Sequence, residues 1–175
     1  EGFRRVRTFV GQVPLSAVAV VLTVALAVRL SPVVARRLTT PRVVAALLLF
    51  GFGLVFSATL VPTSAALEGV PSEGVCDTSR VGLAPIDELT RISFSSLNVL
   101  LFVPLGLAVG LLPRTRDAMA VTIAAIALTF IVEAIQLLVP VLGRGCQTAD
   151  MFDNLLGLAI GFVAGLAVRP FLRSG

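Results

Sequence analysis

Five long apolar runs separated by polar stretches organise the chain, at about 15–30, 43–61, 98–112, 118–139 and 151–168. A helix needs roughly 20 such residues to cross about 30 Å of hydrocarbon. The pattern therefore predicts an all-α fold, a polytopic membrane helical bundle with about five transmembrane helices. The first run is slightly short. The third has only 15 residues and contains Pro104, so it begins inside the preceding loop, tilts, or breaks at the proline. SPVVARRLTTPR reads as a short loop carrying three arginines, PRTRD (113–117) as a tight turn, and VLGRGCQTAD as a second turn. The one long loop, 63–97, is rich in Ser, Pro and Gly and carries five acidic residues against Arg80 and Arg91. Residues 1–14 interleave Arg4, Arg5 and Arg7 with Phe3, Val6, Phe9 and Val10, as expected of a segment lying along the membrane surface. The organisation expected is an interfacial segment and first span (1–40), a membrane domain (41–170) and a tail (171–175).

Composition narrows the function classes. The chain is 57% hydrophobic and 14% charged, with a mean hydropathy of +1.01, against about 25% charged residues in soluble domains. A soluble domain is excluded, and 175 residues leave room for one bundle and no separate soluble unit. The first apolar run is too long, and lacks the small-residue cleavage pattern, to be a secretory signal. All 14 basic residues are arginine, and there is no histidine, so imidazole base chemistry and His-ligated metals are ruled out within the chain. Two cysteines are too few for a thiolate cage. The arginines sit at the ends of apolar runs, which is a pattern of membrane orientation and not of nucleic-acid binding.

That placement predicts the topology. Arg29, Arg36, Arg37, Arg42, Arg114, Arg116, Arg169 and Arg173, less Asp117, give one side net +7; the N-terminal segment, the long loop and the 140–153 turn give the other net −2. The C-terminus is then expected in the cytoplasm and the 63–97 loop outside, although the N-terminal arginines count against this. Cys76 and Cys146 fall on the same predicted outer face, where an oxidising compartment favours a disulfide; the alternative is two unrelated buried thiols.

Ionisable groups beside or inside spans are expensive and are kept for pairing or for function. Glu133 and Gln136 are three residues apart and share a helix face. Pro140 marks the outer end, placing Glu133 about 10 Å inside it at 1.5 Å per residue, with Arg144 as its expected partner. On the fifth run Asp150, Asn154, Gly157, Gly161 and Gly165 form one helical stripe, polar and then bare backbone. Gly106 and Gly110 repeat the four-residue step on the third, with Asn98 two turns above Gly106. Small residues at this spacing let membrane helices approach closely, so the third and fifth helices are expected to carry Asn98, Asp150 and Asn154 to one outer pocket. Asp153 is off the stripe and is expected at the headgroup boundary. A purely structural polar network is the competing explanation, since such a network costs stability when any member is unpaired.

Several of these segments resemble the VanZ family of small bacterial membrane proteins. NVLLFVPLG (98–106) is similar to the family's N-x-L-F-x-P-L-G run, Glu133 and Gln136 to its E-x-x-Q pair, and Arg144, Asp150, Asn154 and Gly157 to its R…D-x-x-x-N-x-x-G ending. ATLVP (58–62) and LAP (83–85) resemble weaker early motifs. The resemblance covers roughly residues 45–168, with no family signal in the first 40, and Asp153 stands where an apolar residue is more usual. It implies a bacterial cell membrane setting and a link to teicoplanin-type glycopeptide resistance.

Three functions are then in competition. The first is a non-enzymatic envelope protein whose outer pocket recognises a lipid or cell-wall precursor headgroup through Asn98, Gln136 and Asn154. The second is a membrane enzyme with Glu133 and Asp150 as acid and base and Arg144 as anion clamp. Its oxygen-rich donor set admits a divalent cation such as Mg²⁺ or Mn²⁺, and no other cofactor is expected. The third, an ion-coupled transporter, is disfavoured by the small size and the lack of an internal repeat.

Overall fold

The structure, a computed structural model, describes residues 15–171. The surface segment expected over 1–14 and the end of the tail lie outside the described residues. Among the described residues there are five long helices: α1 (Ser16–Leu38), α2 (Arg42–Thr59), α3 (Phe94–Leu111), α4 (Arg116–Leu138) and α5 (Thr148–Val168). All five are long and apolar enough to cross a membrane, and the chain is a multi-pass membrane protein. A linker between α2 and α3 contains two single-turn helices, Ser64–Leu67 and Ile86–Leu89, and a two-residue strand, β1 (Cys76–Asp77). It pairs in parallel with β2 (Cys146–Gln147), which leads into α5.

Two helix boundaries differ from the sequence expectation, each for a local reason. Helix α1 runs through Pro32 to Leu38, so most of the stretch read as a loop is helical. Proline removes the N–H that would bond the Val28 carbonyl, and the Ser31 hydroxyl donates to that carbonyl at 3.0 Å instead. Side-chain rescue of this kind lets proline persist in membrane helices. Helix α3 begins at Phe94, inside the stretch read as loop, because Ser93 and Ser96 form a reciprocal cap. The Ser93 hydroxyl accepts the Ser96 N–H at 3.1 Å and the Ser96 hydroxyl accepts the Ser93 N–H at 3.0 Å, satisfying donors that a helix start leaves open. The third run is thus extended at its start, and its helix continues past Pro104.

Helix α3 is the hub, with Phe102, Leu105 and Ala108 fully buried against Val55, Ala125 and Val132. It lies parallel to α5 at backbone contact. A Cβ placed on Gly157, Gly161 or Gly165 would run into the carbonyl of Val99, Val103 or Leu107, and one on Gly106 or Gly110 into that of Leu158 or Phe162. Both helices advance four residues per contact, so the glycine stripes are the seam. Lipid tails are as apolar as leucine, and close van der Waals packing of this kind is what holds membrane helices together. Helix α1 is peripheral and meets α2 through Thr23 and Ser57, whose hydroxyls lie 3.1 Å apart. This arrangement brings the starts of α3 and α5 side by side at the end of the bundle where the linker lies.

Candidate functional site

At that linker end the ends of α2, α3, α4 and α5 and the loop before β2 enclose a cavity of about 480 Å³. Asn98, Glu133, Gln136, Arg144, Asp150 and Asn154 all line it. Glu133 (1% exposed) and Asn154 (2%) are buried. Phe94 and Leu100 also line the cavity while remaining exposed on the bundle surface, so its wall reaches the lipid-facing side.

Among the described residues, each fully buried polar side-chain atom of the cavity has a partner that the fold supplies, with one exception. The Glu133 carboxylate accepts the Gln147 N–H at 2.9 Å. Gln147 is the N-cap residue of α5, where a negative charge suits the positive end of the helix dipole. The Gln136 side-chain amide donates to the Thr59 carbonyl at 3.1 Å, one of the carbonyls that the end of α2 leaves open. Asn98, Asp150 and Glu133 line the same side of the cavity, with the Asn98 amide facing the Asp150 carboxylate. The exception is the Asn154 Oδ1, buried without a hydrogen-bond partner among the described residues.

The expected Glu133–Arg144 pair does not form. Arg144 donates to the Val61 carbonyl, from Nε at 3.4 Å and Nη2 at 3.3 Å. The turn Pro140–Leu142, closed by Gly143 at φ +63°, turns the chain toward the end of α2. Meanwhile β2, held beside β1, delivers the Gln147 N–H to Glu133. Burial pulls the Arg144 pKa below its ordinary value, yet a guanidinium remains charged. Among the described residues it is the one cationic side chain lining this cavity.

Asp153 is also not where the sequence pattern put it. It is fully buried and bonds Arg80 of the linker, Nη2 to Oδ2 at 2.6 Å and Nη1 to Oδ1 at 3.4 Å. Arg80 also donates to the Ser95 hydroxyl and the Gly82 carbonyl, each at 3.1 Å. The Asp153 carboxylate beside it holds the Arg80 pKa above its ordinary value. The Thr148 hydroxyl donates to the Arg80 carbonyl at 2.7 Å, and Cys76 and Cys146 form a disulfide, with Cα atoms 4.5 Å apart. Together these contacts make the linker a strap across the starts of α3 and α5. The signal in the sequence was the cysteine pair itself: once Cys76 is tied to Cys146, Arg80 four residues on must fall near the first two turns of α5.

Among the described residues no group of three or more His, Cys, Asp or Glu side chains is placed to hold a metal ion. A divalent cation beside Glu133 and Asp150 would need amide or ligand oxygens to complete the six or more it prefers.

The family described as VanZ/LLP1 matches residues 17–169, nearly the whole chain. The match takes in α1, upstream of the motif-bearing stretch. No curated protein and no solved structure matches the chain.

Proposed function

The chain belongs to the VanZ/LLP1 family, and from that premise we propose that its linker-end cavity binds the headgroup of a lipid-linked envelope precursor. The observation that carries this reading is the convergence of six polar side chains from three helices and a loop on one cavity, with a buried acceptor left over. A structural network would close on itself; this one leaves the Asn154 Oδ1 open, at a cost of about 1–3 kcal/mol for an unsatisfied buried group. The cavity's two carboxylates and the Asn154 oxygen suit ligand hydroxyl or amino groups, and Arg144 suits a phosphate. Its wall at Phe94 and Leu100 would let a polyprenyl or acyl tail stay in the bilayer while the headgroup enters. Sequestering such a precursor would connect the cavity to teicoplanin-type resistance. Binding is preferred to catalysis because Glu133 is already engaged in capping α5, which suits a fixed acceptor better than a group that must exchange protons.

Asn154→Leu separates a ligand-binding role from a structural one. With the buried acceptor gone, thermal unfolding in detergent should occur at the same or a higher temperature, while glycopeptide protection and precursor binding are lost. Loss of stability together with function would mean that Asn154 only holds the bundle together. The orientation proposed with this reading has the strap and cavity extracytoplasmic and the arginine-rich end cytoplasmic, a compartment that also suits the disulfide. After mild reduction of intact cells, an impermeant maleimide should label Cys76, the more accessible of the two thiols; protection of both until the membrane is permeabilised would reverse the topology.

A further inference from the structure

The opposite end of the bundle has a second cavity of about 470 Å³, between the end of α3, the start of α4 and the end of α5. Its chemistry is the reverse of the first. Arg114, Arg116 and Arg169 line it beside Met119, Phe162 and Leu166, and among the described residues none that lines it is acidic. The acid nearest in sequence, Asp117, points away and pairs with Arg37 at 3.3 Å. The groove lies where α3 and α5 close on each other at Gly110 and Gly165, and α4 packs on that pair far less extensively than they pack on each other. Met119 is largely exposed and Leu166 partly so, which makes the apolar wall continuous with the lipid-facing surface.

We propose that this groove is a binding site for an anionic phospholipid, its phosphate held by Arg114, Arg116 and Arg169 and an acyl chain lying along Met119, Phe162 and Leu166. Guanidinium groups match phosphate oxygens in pairs. The start of α4 adds helix N–H groups and the positive end of its dipole, and basic pockets between spans are a recurrent solution for anionic headgroups. Arginines that merely set orientation need no groove. Arg36 and Arg42, at the same end, line a separate smaller notch beside Pro32 and Ala35, without the long apolar wall. The site requires nothing of the linker-end cavity.

The chain contains no Trp or Tyr, so Met119→Trp in the full chain gives a single emitter inside the groove. In phosphatidylcholine nanodiscs, brominated phosphatidylglycerol should quench that emission at a mole fraction roughly tenfold lower than brominated phosphatidylcholine does. The preference should vanish in Arg114→Gln/Arg116→Gln/Arg169→Gln, survive in Arg36→Gln/Arg42→Gln, and resist excess glycerol phosphate. Equal quenching by the two lipids overturns the proposal, and this comparison does not depend on the arginine variants folding. Equal loss in both arginine variants would reduce the effect to general surface charge, and displacement by glycerol phosphate would make a soluble phosphate ester the ligand; either result also overturns it.

Discussion

Replacing Arg80 with alanine is expected to destabilise the bundle by about 3–5 kcal/mol, the usual consequence of removing one partner of a buried ion pair. The magnitude comes from what stays behind. Asp153 has 0% side-chain exposure and Arg80 29%, and both carboxylate oxygens of Asp153 are bonded by that one guanidinium. Without it a fully buried carboxylate is left at the start of α5, one turn before the helix meets the α3 backbone at Gly157. The pair itself need not be strongly stabilising, since desolvation offsets much of its attraction. Arg80→Met/Asp153→Leu, which removes both charges, should therefore recover most of the loss and could exceed the parent. Denaturant unfolding of the three variants in one detergent decides the matter. A loss below about 1 kcal/mol for Arg80→Ala would put the pair in the class of surface bridges and remove the strap's main electrostatic tie.

The other large effect falls on binding and not on stability. Glu133→Gln and Asp150→Asn keep side-chain shape while removing a negative charge. Glutamine at 133 retains a carbonyl oxygen that can accept the Gln147 N–H, and asparagine at 150 can still face Asn98, so both variants should unfold within about 1 kcal/mol of the parent. A ligand hydroxyl or amine held by a carboxylate loses more. Hydrogen bonds to charged groups contribute about 1.5–3 kcal/mol, so each substitution should weaken headgroup binding roughly 10- to 100-fold and abolish any phenotype that depends on it. If both variants bind and protect like the parent, the carboxylates are structural and the cavity has no ligand that uses them.

Much of this arrangement was legible in the sequence because it is written in local periodicity. The four-residue glycine steps gave the α3–α5 seam, and the three- and four-residue polar steps put Glu133 with Gln136 and Asp150 with Asn154 on single faces. What was not legible depends on how the linker folds back. The Arg80–Asp153 pair joins residues 73 apart in sequence, and its position follows only after Cys76 is joined to Cys146. Proximity along the chain points Arg144 to Glu133, but the fold offers Glu133 the N–H of a helix N-cap residue and Arg144 a carbonyl just past a helix end. The boundary differences share a cause: stretches bearing Ser and Pro read as loops, whereas Ser31 repairs the carbonyl that Pro32 frees and Ser93 starts a helix.

The most direct test of the central claim is equilibrium binding of a polyprenyl-diphosphate-linked saccharide to the protein and to Asp150→Asn, side by side in nanodiscs. A polar cavity kept for a headgroup predicts saturable one-to-one binding that weakens at least about tenfold in the variant, with thermal unfolding unchanged. No saturable binding, or the same affinity in both proteins, would contradict it.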